Sequence, residues 1–441
     1  MVMKPTTFDI HTDCLFDPLK KSFVSNTSMT VSLSTGLITK VYQRKDPLPS
    51  TISERDVDLR HLCVLPGLVD AHTHILLHDY GEVPATAQLK DESLVERIIR
   101  ATNHCRAALL AGYTTYRDLG TEGAFDADVH IRNAVNRGLI PGPRIYAATE
   151  PLASSGGYES RIENAIGGVT VPRISDPCDG AIGVRAAVRR RLGAGADVIK
   201  FYADYRKRAL RFPAPGWKGC PEICFPPPQT EGNLDGERNP NLLLFAQDEM
   251  DEIVREARRG HAAVAAHAST AEAVEMAARA GVTSVEHGFL PMDGTKAMQT
   301  MKEHGTIFVP TLAVVEKFVS KAEMNPIMAQ VKKAFDEGVK LACGGDTGAF
   351  AHGDNARELE LFLEAGIPIE EALLAATYRG WESCGGEWVG RKFGWVEEGA
   401  AADFVGLAAD PRRDGEALRK VDFVMKDARV WKRDGEAVGM V

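Results

Sequence analysis

Two histidines separated by one residue, His72 and His74, close the apolar segment 64–71. Alternate side chains of a strand point to the same face, so a strand here would aim both imidazoles at one point. Imidazole nitrogens are common ligands of zinc and related first-row metal ions. The spacing therefore indicates a pair of metal ligands at a strand end. A surface loop could carry the same spacing by chance, and the rest of the chain decides between the two.

Other potential ligands accompany apolar segments farther along the chain. They are Lys200, His267, His287 and Asp346. Burial of an unpaired ammonium is costly, so Lys200 needs charged partners or a chemical modification within such a segment. A core or capping role could explain His267 alone, and a helix N-cap could explain Asp346 alone. One metal centre explains all of these residues together.

The elements that must position these residues are strands alternating with helices. Eight segments predict strands: Leu65–His74, Thr114–Leu119, Arg144–Ala148, Asp197–Tyr202, Ala262–Ala268, Thr283–His287, Thr306–Leu312 and Leu341–Asp346. The predicted helices between them include Leu94–Ala111, Val184–Gly193, Gln247–Gly260, Thr270–Ala280 and Asn325–Gly338. This α/β alternation is typical of a (β/α)8 TIM-type barrel, in which the carboxyl ends of the strands converge on the catalytic face. The potential ligands follow the strand ends in this arrangement.

The two ends of the chain have a different pattern, with short strands separated by turn residues. Neither end can bury a core alone. We therefore expect residues 1–64 and 397–441 to form one small β-sandwich domain beside a barrel of residues 65–396. A Pro-rich insertion at about 204–241 interrupts the barrel pattern, and its aromatic residues favour a packed lid.

Composition excludes several classes of protein. Of 441 residues, 44% are hydrophobic and 26% charged, and the net charge is −9, so a soluble globular protein is expected. No basic stripe suggests nucleic acid, and no apolar run approaches the ~20 residues that span a membrane. Without a signal peptide pattern, a cytoplasmic protein with free thiols is expected. Cys220 and Cys224 are a close pair that could clip a loop or bind a metal, whereas His78, His130 and His352 are expected at the surface.

The motifs around these residues resemble the amidohydrolase superfamily. The matching segments are 66–74 (PGLVDAHTH), 114–120 (TTYRDLG), 199–206 (IKFYADYR), 266–270 (AHAST), 285–288 (VEHG), 344–348 (GGDTG) and 399–405 (GAAADFV). Within the superfamily, the chain is similar to the imidazolonepropionase-like branch. That branch includes zinc-dependent dipeptidases of the prolidase-like and Xaa-Arg types and the fungal ochratoxin-hydrolysing amidase.

The resemblance implies a binuclear centre of two divalent metal ions, expected to be Zn²⁺. The implied metal ligands are His72, His74, Lys200, His267, His287 and Asp346. His72, His74 and Asp346 would hold the more buried ion, and the two later histidines would hold the second. A hydroxide and Lys200, converted by carbon dioxide to a carbamate, would bridge the ions. Asp346 and Lys200 would thus be the catalytic residues, with Asp346 passing a proton from the hydroxide to the leaving nitrogen.

The implied reaction is hydrolysis of an amide bond in a dipeptide, an N-acyl amino acid or another peptide-like substrate. Ring deamination is disfavoured, because residues 268–270 after His267 include no Glu of a His-x-x-Glu pattern. Tyr202, Tyr205 and Arg206 are predicted to bind a small anionic or carboxylate-bearing substrate. The alternatives are a lactonase or esterase, a cyclic-amide hydrolase on the same centre, and a non-catalytic barrel. A homo-oligomer is expected.

Overall fold

The computed structural model describes residues 6–45, 48–49, 52–157, 172–205, 241–288 and 295–440. The strands before residue 67 are β1 (Thr7–Thr12), β2 (Cys14–Asp17), β3 (Ser22–Val24), β4 (Thr27–Ser32), β5 (Ile38–Gln43), β6 (Val57–Asp58) and β7 (Cys63–Pro66). The central strands are β8 (Leu68–Thr73), β9 (Tyr113–Asp118), β10 (Arg144–Ala147), β11 (Leu152–Ala153), β12 (Asp176–Pro177), β13 (Val198–Tyr202), β14 (Asp204–Tyr205), β15 (Leu242–Leu243), β16 (Ala263–Ala268), β17 (Ser284–His287), β18 (Ile307–Val309) and β19 (Lys340–Leu341). The last strands are β20 (Phe404–Leu407), β21 (Val421–Lys426), β22 (Arg429–Arg433) and β23 (Glu436–Ala437).

The helices lie between the central strands and after them. They are α1 (Ala85–Asp91), α2 (Leu94–Leu110), α3 (Ala127–Asn136), α4 (Gly180–Ala194), α5 (Gln247–Arg259), α6 (Ala271–Ala280), α7 (Thr295–His304), α8 (Leu312–Phe318), α9 (Lys321–Asp336), α10 (Ala356–Glu364), α11 (Ile369–Ala375) and α12 (Tyr378–Cys384), with 3₁₀ helices at Gly386–Val389 and Gly415–Arg419. In the described part of the chain, no helix combines the length and apolar character needed to cross a bilayer.

Apart from the short antiparallel pair of β14 and β15, the central strands pair in parallel, which confirms the α/β class. β8, β9 and β10 form one sheet, and β11, β13, β16, β17, β18 and β19 are neighbours in that order in another. All residues of β8, β9 and β13 are buried, as is typical of parallel strands covered on both faces, although β9 includes Arg117 and Asp118. β8, the first of the central strands, also contacts the segment that follows β19, the last of them. The Ala71 N–H donates to the Cys343 carbonyl (2.9 Å), and Thr73 and Thr347 form a parallel bridge.

The predicted strands all overlap observed ones, with two differences at the first and last. The predicted strand 65–74 is divided at Gly67, where the chain leaves one sheet and enters another. A Cβ at Gly67 would collide with the Thr114 hydroxyl, so the crossing point needs a glycine. The last strand contains only Lys340–Leu341, and Asp346 lies in the loop that follows it.

The five predicted helices are confirmed as α2, α4, α5, α6 and α9. Thr270 caps α6 as expected, because its hydroxyl accepts a hydrogen bond from the Ala273 N–H (3.3 Å). Gly193 was expected to end its helix, but it lies inside α4. The helix ends instead at Gly195, whose φ of 102° is a left-handed conformation that a residue with a Cβ adopts only under strain.

Strands from both ends of the chain form the remaining sheets. One sheet has the order β5-β4-β1-β6, and the other has the order β23-β22-β21-β20-β7-β2-β3. The Ile38 N–H donates to the Ala400 carbonyl (2.9 Å), and an apolar cluster contains side chains from both ends, among them Ile10, Met29 and Phe404. The N-terminal and C-terminal strands therefore share one core.

Candidate metal centre

His72 and His74 lie side by side at the end of β8, with ring centroids 5.4 Å apart. Both are buried. The Nδ1 atom of His72 is 2.9 Å from a Glu286 carboxylate oxygen, and that of His74 is 2.8 Å from the Gly120 carbonyl oxygen. A carbonyl or carboxylate oxygen only accepts, so Nδ1 is the donor in both rings. Each ring thus presents Nε2 to the opposite side, which is the arrangement expected of a metal-ligating histidine.

Asp346 is the group that the two Nε2 atoms face. Its Oδ1 is 3.2 Å from Nε2 of His74 and 3.7 Å from Nε2 of His72. Although burial opposes ionisation, His72 and the hydrogen bond with His74 hold the pKa of Asp346 below its usual range. Burial lowers the pKa of His74, but the contact with Asp346 outweighs it and raises the pKa to about 9. A cation bound between these atoms would displace the His74 proton.

His287 completes a group of three with His72 and Asp346. One ligand atom of each lies within 4.8 Å of the others. His287 is the last residue of β17, and its Nδ1 is 2.9 Å from the Thr311 hydroxyl. The group takes His72 and Asp346 from the first predicted ligand set and His287 from the second. The assignment of particular residues to particular ions thus stays a prediction.

His267 lies next to this group. Its ring centroid is 4.5 Å from that of His287, because β16 and β17 are neighbouring parallel strands. Burial and the nearby His287 hold the pKa of His267 well below its usual value, so the ring is a neutral donor of lone pairs. Its Nε2 is 3.4 Å from the Ser269 hydroxyl. The structure therefore places all four predicted histidines in one contiguous cluster of rings.

Lys200 lies in β13, on the strand next to that of His267. Its side chain is buried, and its Nζ has no hydrogen-bond partner among the described residues. Burial lowers the pKa of this amine to about 8, although Glu286 and Asp346 oppose the effect. A buried amine without a partner is unfavourable. Together with the four histidines and the carboxylate of Asp346, this buried nitrogen fits a centre in which a modified lysine contacts metal.

Glu286 and Arg117 are residues of the candidate site that sequence reasoning did not assign. Arg117 is fully buried, and its Nη2 donates to Glu286 Oε1 (2.9 Å), while the other oxygen of Glu286 faces His72. Burial opposes ionisation of Glu286, but Arg117 and His72 hold its pKa below the usual range. Both residues lie within motifs quoted above. Their role had no signal of its own, because the partner of each residue is far away in sequence.

Four residues in the left-handed backbone region stand at or after the carboxyl ends of β10, β17, β18 and β19. They are Thr149 (φ 63°), His287 (φ 73°), Thr311 (φ 53°) and Asp346 (φ 63°). Non-glycine residues adopt this conformation at a cost of about 1–3 kcal/mol each, and such strain concentrates at functional sites. Here the strained backbone turns the chain sharply at the ends of the strands. His287 and Asp346, two of these four residues, also belong to the group of three.

The predicted substrate contacts are only partly described. Tyr202 and Tyr205 have ring centroids 5.2 and 5.1 Å from that of His267. Arg206, Cys220 and Cys224 lie outside the described residues, as does most of the predicted lid 204–241. At the two ends of this predicted lid, β14 and β15 pair in a short antiparallel ladder.

Two histidines expected at the surface are buried. His78 is 4% exposed and contacts Glu92 (2.7 Å), and His352 is 9% exposed and stacks on His104, with ring centroids 4.3 Å apart. The expectation was wrong because residues elsewhere in the chain cover both rings: Glu92 contacts His78, and the Leu77 carbonyl oxygen is 3.1 Å from Nε2 of His352. His130 is exposed, as predicted.

Comparison with known proteins gives concordant results. The amidohydrolase family model matches residues 63–435. Ochratoxinase from Aspergillus niger is 28% identical over 406 residues, which cover 84% of this chain and 76% of the relative. A Xaa-Pro dipeptidase with methionine bound in its active site is 29% identical, with a TM-score of 0.74 over 97% of this chain and 100% of that one. A prolidase complexed with N-methylphosphonate-L-proline is 25% identical, with a TM-score of 0.73 over 97% and 100% of the two chains.

Proposed function

Since the chain belongs to the amidohydrolase family, in its imidazolonepropionase-like branch, we propose that it is a metal-dependent enzyme that cleaves dipeptides or N-acyl amino acids. It is a hydrolase acting on C–N bonds. The observation that carries the proposal is the meeting of His72, His287 and Asp346 beside the amine of Lys200, which has no hydrogen-bond partner among the residues that the structure describes. The proposal includes a closed barrel, which the Ala71–Cys343 hydrogen bond and the bridge at Thr73 support.

The residues that would hold two divalent ions are the four histidines, Asp346 and the carbamate of Lys200. Bound ions would lower the pKa of a water molecule and polarise the scissile carbonyl. The uncharged form of the Lys200 amine is the one that reacts with carbon dioxide, and burial of the amine favours that form. A carbamate there would add a second negative charge, beside that of Asp346, to a site otherwise lined by His72, His267 and His287.

Asp346 is suited to move the proton during hydrolysis. Its lowered pKa keeps the carboxylate ionised at neutral pH, so it can accept a proton from the attacking water. The same oxygen would deliver that proton to the leaving nitrogen. The backbone of Asp346 has a strained, left-handed conformation. Its two neighbours hold it in place, because the Gly345 N–H and the Thr347 hydroxyl both donate hydrogen bonds to Asp70. The proton acceptor is therefore fixed in position before substrate binds.

The substrate class follows from the relatives and from the predicted contacts. The ligand of the related prolidase joins a phosphonate to the nitrogen of proline, an amino acid with a free carboxylate. By extension, we propose a substrate with a carboxylate on the leaving side. Tyr202 and Tyr205 stand beside His267, where a phenol hydroxyl could donate to a substrate oxygen. Arg206, next in sequence, is proposed to pair with the carboxylate.

A substrate panel with metal analysis tests this function. We expect removal of metal by a chelator to abolish hydrolysis of N-acyl amino acids and dipeptides, and zinc to restore it. Carboxamide-capped counterparts of the same substrates should react more slowly, because the anchor for the carboxylate is lost. Turnover of lactones or esters without turnover of amides would instead indicate an esterase. Bound metal without turnover of any compound would indicate a non-catalytic protein.

A further inference from the structure

Two cysteines far from the metal centre face each other across neighbouring strands. Cys14 begins β2 and Cys63 begins β7, and the two residues are register partners in a parallel pair. Their Sγ atoms are 3.3 Å apart. Neighbouring strands lie about 4.8 Å apart, within the range of about 4.4–6.8 Å between the Cα atoms of a disulfide. The backbone thus already has the spacing that an S–S bond requires.

The two thiols differ in access and charge. Cys63 is buried, whereas Cys14 is partly exposed. An Nη2 atom of Arg412 lies 3.8 Å from the Cys14 sulfur, and Asp410 and the Phe23 ring hold this guanidinium in place. The hydrogen bond from Cys63, and then the charge of Arg412, lower the pKa of Cys14 against the effect of burial. Cys14 is therefore the outer, more nucleophilic thiol of the pair.

The other described cysteines lack this environment. Burial raises the pKa of Cys105, Cys178 and Cys384 to about 12, and raises that of Cys343 as well. A thiol that ionises so weakly reacts slowly with disulfides or alkylating agents. Chemistry at Cys14 should accordingly be selective among the described thiols.

We propose that Cys14 and Cys63 are a redox site that reacts with a small disulfide such as oxidised glutathione and becomes a reversible disulfide between β2 and β7. The Cys14 thiolate attacks one sulfur of the reagent, whose S–S bond breaks and releases one glutathione thiolate. Cys63 then gives up its proton, and its sulfur attacks Cys14 Sγ and displaces the second glutathione thiolate. The two protein thiols lose two electrons in total, the reagent gains them, and the two thiol protons end on glutathione.

The bond would have a consequence for the strand that carries the first histidines. It would close a loop containing β3 to β6 and fasten it to β7, which continues through Gly67 into β8. Cross-linking restricts the unfolded chain more than the folded one. The oxidised protein should therefore have a higher Tm than the reduced protein.

Thiol mapping of the metal-loaded protein tests the proposal. A Cys220→Ser/Cys224→Ser background removes the two thiols that the structure does not describe. After incubation with oxidised glutathione and blocking with N-ethylmaleimide, we expect a peptide pair linked through Cys14 and Cys63, lost again on reduction. Alkylation of the reduced protein should modify Cys14 at least about 10-fold faster than the four other described cysteines.

Two variants distinguish the order of steps. With Cys63→Ser, the reaction should stop with one glutathione attached to Cys14, since no second thiol can displace it. With Cys14→Ser, Cys63 should remain unmodified, because it is buried. If Cys14 and Cys63 of the parent chain stay alkylatable in excess oxidised glutathione, the pair is a structural thiol–thiol hydrogen bond and the proposal is wrong. This mapping keeps both Cys14 and Cys63 and can be repeated on the parent chain without the Cys220→Ser/Cys224→Ser substitutions, so a poorly folding variant would not obscure the result.

Discussion

The imidazoles of the candidate centre divide their two nitrogens between two tasks. In His72, His74 and His287, Nδ1 contacts a fixed oxygen of the protein, which comes from Glu286, Gly120 and Thr311, respectively. Nε2 of the first two rings faces Asp346. Fixing one nitrogen determines the tautomer and the orientation of the ring. The geometry of the centre is therefore set by residues that would not themselves touch a metal ion.

The orphaned amine of Lys200 leads to the first prediction at this scale. Lys200→Ala should lower kcat for an N-acyl amino acid by at least about 100-fold and reduce bound metal, because the bridging group is lost. Added acetate or propionate should restore part of the turnover by placing a carboxylate where the carbamate was. Elemental analysis and steady-state kinetics measure both effects. Lys333→Ala, at an exposed position, is the control, and unchanged kcat in Lys200→Ala would contradict the bridging role.

The carboxylate behind His72 leads to a second prediction. Glu286→Gln keeps the shape of the side chain but removes the charge that orients His72 and pairs with Arg117. We expect metal affinity to fall by about 10–100-fold, as measured by competition with a chromogenic chelator. Glu82→Gln, at a half-exposed carboxylate, should leave the affinity unchanged. Equal affinities of Glu286→Gln and the parent would remove Glu286 from the support of the centre.

At the scale of elements, the strands were predictable because short segments rich in apolar residues alternate with helical stretches, and because His267 and His287 lie at or next to the ends of β16 and β17. The division at Gly67 was not predictable, since β7 and β8 are equally apolar and only the partner strands differ. β11 and β12 contain two residues each and have no periodicity to detect. Burial of His78 and His352 also depends on contacts with residues elsewhere in the chain, such as Glu92 and Leu77. Local pattern thus identifies the elements, whereas contacts between distant segments decide these details.

The helix α10 supports the candidate site through Glu358. This buried carboxylate accepts hydrogen bonds from the N–H groups of Leu312 (3.0 Å) and Ala313 (2.7 Å), at the start of α8 and directly after Thr311. Burial raises its pKa from 4.5 to about 8. The folded protein therefore holds this proton more tightly than the unfolded chain. The stabilising contribution is complete below pH 4.5 and is lost as the pH rises through about 8.

The resulting prediction concerns the pH dependence of stability. Between pH 5 and pH 8, the apparent Tm of the parent should fall more steeply than that of Glu358→Gln, which has no proton to lose. Scanning fluorimetry at four pH values measures the two slopes. Glu364→Gln, at the exposed end of the same helix, should follow the parent. Parallel curves for the parent and Glu358→Gln would show that Glu358 titrates at an ordinary pKa when folded.

At the scale of the whole molecule, Arg144 joins the central strands to the C-terminal strands. It begins β10, and its guanidinium donates to Asp403 (2.9 Å), just before β20, and to Asp427 (2.8 Å), between β21 and β22. Asp403 is 3% exposed. The guanidinium also lies 5.0 Å from the centre of the Phe393 ring. A buried carboxylate without this partner would be left uncompensated.

Arg144→Ala should therefore destabilise the protein by about 3–5 kcal/mol, with little change in kcat of the folded enzyme. The denaturant midpoint and the kinetics at low temperature measure the two effects separately. Arg144→Met/Asp403→Asn should recover part of the lost stability, because no charge is left buried there. Arg279→Ala, which breaks an exposed ion pair, should cost less than about 1 kcal/mol. A similarly small loss of stability in Arg144→Ala would show that the connection between the central and the C-terminal strands does not depend on the Arg144–Asp403 pair.

The position of β7 between β2 and β20 also has a consequence for the order in which the chain is made. A ribosome completes β7 and the two histidines of β8 long before β20 emerges, because the whole set of central strands lies between them in sequence. During that interval, one edge of β7 is unpaired, and an unpaired strand edge can join other chains. Nascent chains that stall or end before Phe404 would therefore keep an adhesive edge next to the metal-binding segment. Chaperone demand and aggregation should be greatest in that window of synthesis and should fall once β20 has paired.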